Sequence, residues 1–283
     1  MAEERSGKPG LRPDFATWIG VCLAVGGIIV GLLAEGGKIT DLQGGSAALI
    51  VFGGTLGAVF VTTPWETLRR AAARLKWVFF DRVESTEAVI DEVIGYATKA
   101  RKQGLVALED DAEAVADPFL RKALQLAVDG ADIQDLRKMM ELEISVTEQY
   151  GEMEAKVFEA AGGYAPTIGI IGAVLGLIQV MKHIEDTKEV GSGIAVAFIA
   201  TVYGVASANL FFLPAANKLR ARLHRRTMLS ELMLEGVVSI VEGLNPKLIR
   251  SKLQAYSRAN VQKTKALSGK ATAAETAPSQ AGG

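Results

Sequence analysis

Four stretches of this sequence carry no charge at all: Phe15–Ala34 (20 residues), Leu42–Trp65 (24), Ala160–Met181 (22) and Val190–Asn217 (28). A bilayer core is about 30 Å thick and takes ~20 apolar helical residues, so each stretch can cross it. A helix satisfies its own backbone polar groups in lipid, which makes it the natural spanning element. The expected fold is therefore all-α, a polytopic membrane protein with four transmembrane helices. Bulk composition conceals this, because 22% charged and 49% hydrophobic residues are ordinary for a soluble chain. The segregation decides the class. Lys and Arg total 31 against 32 acids, a net charge of -1, and no basic excess points to nucleic acid. The single cysteine, Cys22, rules out an internal disulfide or a cysteine-built metal centre. With His183 and His224 the only histidines, no metal site and no cofactor are expected. No nucleophile–base set or phosphate loop is visible, so catalysis is not expected either.

Arg5, Lys8 and Arg12 ahead of the first stretch resemble the basic start of a secretion signal. The stretch is long, however, and Glu35-Gly36-Gly37-Lys38 follows it without an Ala-x-Ala cleavage site, so it reads as a retained span. Basic residues set the orientation. They crowd the N-terminus, the segment after span two (Arg69, Arg70, Arg74, Lys76, Arg82) and the segment after span four (Lys218, Arg220, Arg222, Arg225, Arg226). Only Lys38 lies between spans one and two, and Lys182 and Lys188 between three and four are offset by acids. The positive-inside rule then places both termini and the long middle segment in the cytoplasm.

The organisation expected is a cytoplasmic extension (1–13), transmembrane helices one and two (14–64), a cytoplasmic helical domain (65–159), transmembrane helices three and four (160–217), cytoplasmic C-terminal helices (218–260) and a disordered tail (261–283). Thr63-Pro64-Trp65-Glu66 has the form of a capping box with proline at the first helical position. The following Leu68–Phe80 stretch mixes aromatic and basic residues as an amphipathic helix on a membrane surface does. Ser85–Lys102 has helical periodicity, Gly104 breaks it, and Leu105–Val115 and Pro118–Val128 read as two short helices. From Asp132 an apolar stripe runs to Gly162-Gly163, where span three starts at once. Span four runs out past Pro214 to Val241, so both spans are expected to project into the cytoplasm as a helical hairpin. A last short helix follows over Lys247–Ser257, and no segment reads as a strand. The tail from Val261 is too poor in large apolar groups to pack.

Spans three and four carry small residues in register: Gly169, Gly172, Ala173 and Gly176 on one, Ala197, Thr201, Gly204 and Ala208 on the other. Such faces let helix backbones approach closely where lipid offers no hydrophobic drive for association, and packing within the chain alone would account for them. The absence of ionisable groups from all four stretches says more. Intramembrane acids are the usual proton and ion relays, so this chain alone is a poor proton carrier, and if ions cross through it another subunit must bring the carboxylate. Outside the spans, Arg101 and Lys102 precede Gly104 while Glu109, Asp110 and Asp111 follow it. Complementarity to the dipoles of two consecutive helices explains this arrangement, and so does a docking surface with separated signs.

Several segments resemble the MotA/PomA family. They are Asp14-Phe15-Ala16-Thr17-Trp18-Ile19-Gly20, Glu35-Gly36-Gly37, Leu49–Ala58 with its Phe52-Gly53-Gly54-Thr55, and Ala107-Leu108-Glu109. Further along come Pro166–Leu177, Ala200-Thr201-Val202-Tyr203-Gly204 and Leu213-Pro214-Ala215-Ala216-Asn217-Lys218-Leu219, so the likeness runs in order over residues 14 to 257. The resemblance implies a stator subunit of the bacterial flagellar motor in the inner (cytoplasmic) membrane. It implies a homo-oligomer, taken to be a pentamer, around a MotB-type dimer that supplies the intramembrane aspartate, with torque passed to the rotor protein FliG. At matching positions it implies that Arg101 and Glu109 face the rotor, with Lys102 and Asp110 beside them. Pro166 and Pro214 take the place of prolines at the cytoplasmic ends of spans three and four. Thr201 takes the place of a pore-facing threonine, and Thr167, Ala173 and Ala200 fall along the same pathway.

Ala173 and Ala200 stand where sodium-driven members tend to carry hydroxyls. A desolvated sodium ion needs several oxygen ligands, so these alanines favour proton coupling, although Val202-Tyr203-Gly204 also occurs among sodium-driven members. An ExbB/TolQ-type energiser would share the mechanism but typically has three spans. A passive membrane scaffold would share the packing faces without any ion flux.

Overall fold

The computed structural model describes residues 11–82 and 85–258. The expected tail from 261 lies outside the described residues, as does most of the N-terminal extension. Strand β1 (Leu11–Pro13) precedes α1 (Phe15–Ala34), and α2 (Gly45–Thr62) is the second span. There follow α3 (Trp65–Arg74), α4 (Lys76–Phe79) and strand β2 (Phe80–Arg82). Next come α5 (Thr86–Gln103), α6 (Glu109–Ala114) and α7 (Pro118–Val128). The third span belongs to α8 (Ile133–Lys182), the fourth to α9 (Thr187–Val241), and a helix over 246–258, α10, closes the described chain. Four helices are long and apolar enough to cross a membrane.

Three local expectations change. β1 and β2 pair antiparallel, Leu11 with Arg82 and Pro13 with Phe80, where no strand was expected. Three-residue strands leave no periodic signal, and only the meeting of distant segments makes them. Thr63 is extended and ends α2, Pro64 is the N-cap of α3, and no side-chain capping bond forms there. Proline forces the residue before it out of the helical region, which moves the boundary one position. Leu105–Leu108 is a 3₁₀ turn ahead of the short α6 rather than part of one helix. Gly104, at φ +86°, makes the break that a side chain would resist.

The described residues fall into two compact units. One comprises Gly10–Arg82 and Gln149–Leu223; the other comprises the described parts of Val83–Glu148 and His224–Gly283. Helices α8 and α9 contribute to both, with 50 and 55 residues respectively. At 1.5 Å per residue, 50 residues are about 75 Å long, more than twice a bilayer core.

In the first unit, α2 buries one residue in four: Ala47, Val51, Thr55 and Val59. Ala47 and Val51 pack with Ile199 and Ala200, and Val59 packs with Ala155, Phe158, Ala161, Ala215 and Ala216. Ala71 of α3 and Val78 of α4 join the second cluster. Helix α1 buries no residue and is apolar all round, as a lipid-facing outer span requires. The helix α8 continues unbroken through Gly162-Gly163. Gly162 is needed for space: a Cβ there would lie 2.6 Å from the Leu213 side chain.

The second unit has its own core. Val89, Ile90 and Val93 of α5, Leu120 and Leu124 of α7, and Leu136 and Met140 of α8 are enclosed with Leu232, Met233 and Val237 of α9 and Ile249 and Leu253 of α10. Asp117 caps α7 by accepting from the Phe119 and Leu120 backbone N–H groups, with Pro118 at the first helical position. Glu235 accepts from Lys252 and Arg137. Burial opposes its charge, but those two bonds outweigh burial and hold the carboxyl below its usual range.

Candidate functional sites

The hairpin of spans three and four is built on backbone contact. A Cβ on Gly169 would meet the Ala200 carbonyl oxygen at 2.9 Å, and one on Gly176 the Gly193 carbonyl oxygen at 2.8 Å. A Cβ on Gly204 would lie 2.5 Å from the Ala165 carbonyl oxygen. Only glycine allows such approaches, which explains the small residues as an internal seam between the two spans.

The pathway positions fall on and around this seam. Ala200 is fully buried, with its methyl against Gly172. Thr201 is half-buried beside Gly169, and its hydroxyl donates to the Ala197 carbonyl at 3.2 Å, leaving the oxygen lone pairs free to accept. Ala173 is half-buried and Thr167 exposed, the latter donating to the Tyr164 carbonyl at 2.8 Å. The structure thus sets Ala200 and Thr201 on the glycine face of span three, with Ala173 and Thr167 at its flanks.

The two prolines loosen the hairpin at successive levels, Pro166 one residue from the Ala165–Gly204 contact and Pro214 one residue from the Gly162–Leu213 contact. Pro166 lies inside α8 and cannot bond to the Gly162 carbonyl, and Gly162 receives the side chain of Leu213, the residue before Pro214. Pro214 likewise frees the carbonyl of Leu210, which lies in a π-helical turn over Ala208–Phe212. A second π turn, Leu49–Gly53, interrupts α2 directly before buried Thr55, whose hydroxyl has no hydrogen-bond partner. Such bulges mark the points where a helix bends most readily.

Span two does not reach as far as the hairpin. Gly44 abuts Ile199, Ile50 lies beside Gly172 and Gly54 meets Ile168. The Tyr203 hydroxyl donates to the Leu42 carbonyl and accepts from the Gly44 N–H at 3.3 Å, fixing this level. Span two therefore begins twelve residues along span four from Thr187, about 18 Å of helix. Beyond it the hairpin exposes Val174, Leu177, Ile178, Met181 and Phe198. No residue of the described chain covers that apolar surface.

Sequence reasoning missed two charge clusters at the other end of this unit. Asp14 caps α1 through the Thr17 N–H and pairs with Lys218 at 2.5 Å and Arg222 at 2.7 Å. The Lys218 bond, supported by the Thr17 N–H and by Arg222, outweighs burial and lowers its pKa to about 2. Buried Glu154 pairs with Arg74 at 3.0 Å. Both join segments remote in sequence, and no local pattern marks them.

In the second unit Arg101 and Lys102 occupy the last turn of α5, and Glu109 and Asp110 the first turn of α6. All four are exposed, and none forms an ion pair or side-chain hydrogen bond among the described residues. Asp111, by contrast, pairs with Lys99 at 2.7 Å. Helix-dipole complementarity is present here, and four unpaired charges remain at one connection.

A hairpin without ionisable residues in its spans, with an exposed apolar end, and a unit carrying unpaired charges define a multi-pass membrane subunit. The sequence pattern of the MotA/TolQ/ExbB proton channel family matches residues 111–232. Motility protein A of Bacillus subtilis is 36% identical over 244 residues, covering 86% of this chain and 90% of that one. Among solved structures, MotAB of C. jejuni superposes with a TM-score of 0.82 at 31% identity, over 86% of this chain and 95% of that one. The flagellar MotAB stator complex of Bacillus subtilis gives 0.79 at 36% identity, over 85% and 95%. The chain belongs to the motility protein A family, the ion-channel subunits of flagellar motor stators. It is a multi-pass membrane protein of a channel family, not of an enzyme class.

Proposed function

We propose that this chain forms a ring of identical copies, a pentamer, around a MotB-type dimer, and turns proton flow into torque on FliG. The observation that carries the reading is the acid-free hairpin, which rises about 18 Å past span two and leaves its apolar end for other chains to cover. A partner helix there supplies the carboxylate that the spans lack. Thr201 is the polar group on the glycine-lined face, with an oxygen free to accept a hydrogen bond from water or from a protonated partner acid. Ala173 and Ala200 offer no oxygen to a sodium ion, which supports proton coupling. Protonation of the partner acid alters its fit against the hairpin, and the proline turns at Pro166 and Pro214 let the cytoplasmic ends of α8 and α9 bend in response. Arg101, Lys102, Glu109 and Asp110 present unpaired charge to the rotor, and both termini lie on that same, cytoplasmic side.

Thr201→Val tests the pathway, because it keeps the shape and removes the hydroxyl. Motor torque is expected to fall while the complex still assembles, and torque is expected to follow proton-motive force and ignore sodium. Normal torque in Thr201→Val would reduce Thr201 to a packing residue. Speed that follows sodium would overturn proton coupling.

A further inference from the structure

Helices α3 and α4 connect the ends of spans one and two that lie on the same side. α3 starts directly after Thr63-Pro64 at the end of span two. α4 leads into β2, which pairs with β1 immediately before span one, and the tilted rings of Phe79 of α4 and Trp18 of span one lie 5.4 Å apart between centres. One face is buried: Ala71 and Val78 pack against Ala155, Phe158, Ala215 and Ala216. The connection therefore packs against the feet of the spans.

Its other face is cationic. Trp65, Arg69 and Lys76 recur at i, i+4 and i+11, which places them along one side of the helical path, and all three are exposed. Trp65 stacks with exposed Phe60 at the end of span two, 6.1 Å between ring centres. Arg70 and Arg74 are occupied, the first over the Tyr150 ring and the second on Glu154. Among the described residues neither Arg69 nor Lys76 forms an ion pair or hydrogen bond, and the Lys76 ammonium lies over the Trp77 ring. No Asp or Glu falls between Glu66 and Asp81 to neutralise them. An aromatic pair at the end of a membrane span beside two cations without an acidic partner is complementary to one occupant, a negatively charged headgroup of the bilayer itself.

We infer that Arg69 and Lys76, anchored by Trp65, form a binding site for anionic phospholipid on the surface of α3–α4. Fixing α3 to the leaflet holds Arg74, and through it Glu154 at the foot of span three. The site thus ties a lipid to the base of the hairpin.

The full-length chain, reconstituted in nanodiscs of phosphatidylethanolamine with and without phosphatidylglycerol, tests this by native mass spectrometry of retained lipid. Wild-type protein is expected to retain phosphatidylglycerol in preference to phosphatidylethanolamine. The double variant Arg69→Gln/Lys76→Gln is expected to lose that preference by about tenfold or more, the weight of two basic residues near an anionic surface. Lys138→Gln, on exposed α8 of the other unit, is expected to keep it. Added inorganic phosphate is expected to leave retained lipid unchanged; complete displacement would make this a soluble-anion site and overturn the inference. Retention by the glutamine variant together with a changed number of copies would assign the face to a second copy of the chain, and overturn it as well. Arg69→Lys/Lys76→Arg keeps both charges and is expected to bind, so a loss of preference in that folded variant also refutes the site.

Discussion

Asp14 combines three interactions in one side chain: a helix cap, a bond to Lys218 and a bond to Arg222. Its pKa falls from 3.8 to about 2, so its contribution to stability is complete above pH ~4 and is lost as the pH drops through ~2. That difference corresponds to about 2 kcal/mol. Asp14→Asn keeps a good capping residue and removes only the charge. Thermal unfolding of the purified protein should show the variant less stable by roughly that amount at pH 7 and equal to wild type near pH 2. An equal difference at both pH values would assign the effect to packing. Arg101 and Glu109 are the opposite case, exposed and unpaired. Reversing either charge should abolish rotation while leaving membrane abundance and assembly unchanged, and a compensating reversal on FliG should restore some rotation. Failure to accumulate in the membrane would show that their dipole contacts hold the fold instead.

At the scale of elements, the seam between spans three and four is set by glycines that differ in kind from those of span one. Gly204→Ala pushes a methyl into the Ala165 carbonyl, whereas Gly20→Ala meets nothing within 4 Å. Overpacking of this kind costs about 1–3 kcal/mol. Gly204→Ala should therefore lower the melting temperature in detergent and reduce torque, and Gly20→Ala should do neither. Equal stability of the two variants would mean that the hairpin opens at no cost. Pro214→Ala restores a backbone donor toward Leu210 and stiffens the turn opposite Gly162. It should preserve assembly and ion flow yet lower torque, a separation that swimming speed and proton-uptake assays can resolve.

For the molecule as a whole, the exposed apolar end of the hairpin predicts assembly. Native mass spectrometry in mild detergent should find five copies with two of the MotB-type partner, and monomers alone with the partner present would contradict the ring. The two compact units carry different features. One holds the spans and the seam, the other the four unpaired charges, and α8 and α9 contribute to both.

The sequence by itself determined everything that depends on local composition. Four uncharged runs became four span-length helices, because twenty apolar residues in lipid have only the helix open to them. Gly104 and Gly243 became breaks at positive φ, since the residue that ends a helix is read locally. The charge cluster around Arg101 and Glu109 was legible in the sequence, whereas the roles expected of Thr201, Arg101 and Glu109 rest on resemblance alone, since no spacing rule singles out a lone threonine or one charge of a cluster. Tertiary structure alone decided the rest. It paired Leu11–Pro13 with Phe80–Arg82, put Ala200 inside the seam, set Leu213 against Gly162, and joined Asp14 to Arg222 across the chain. It also set span two about 18 Å short of the hairpin's tip. These are contacts between residues far apart in sequence, and no periodicity within one segment encodes which distant segment it will meet.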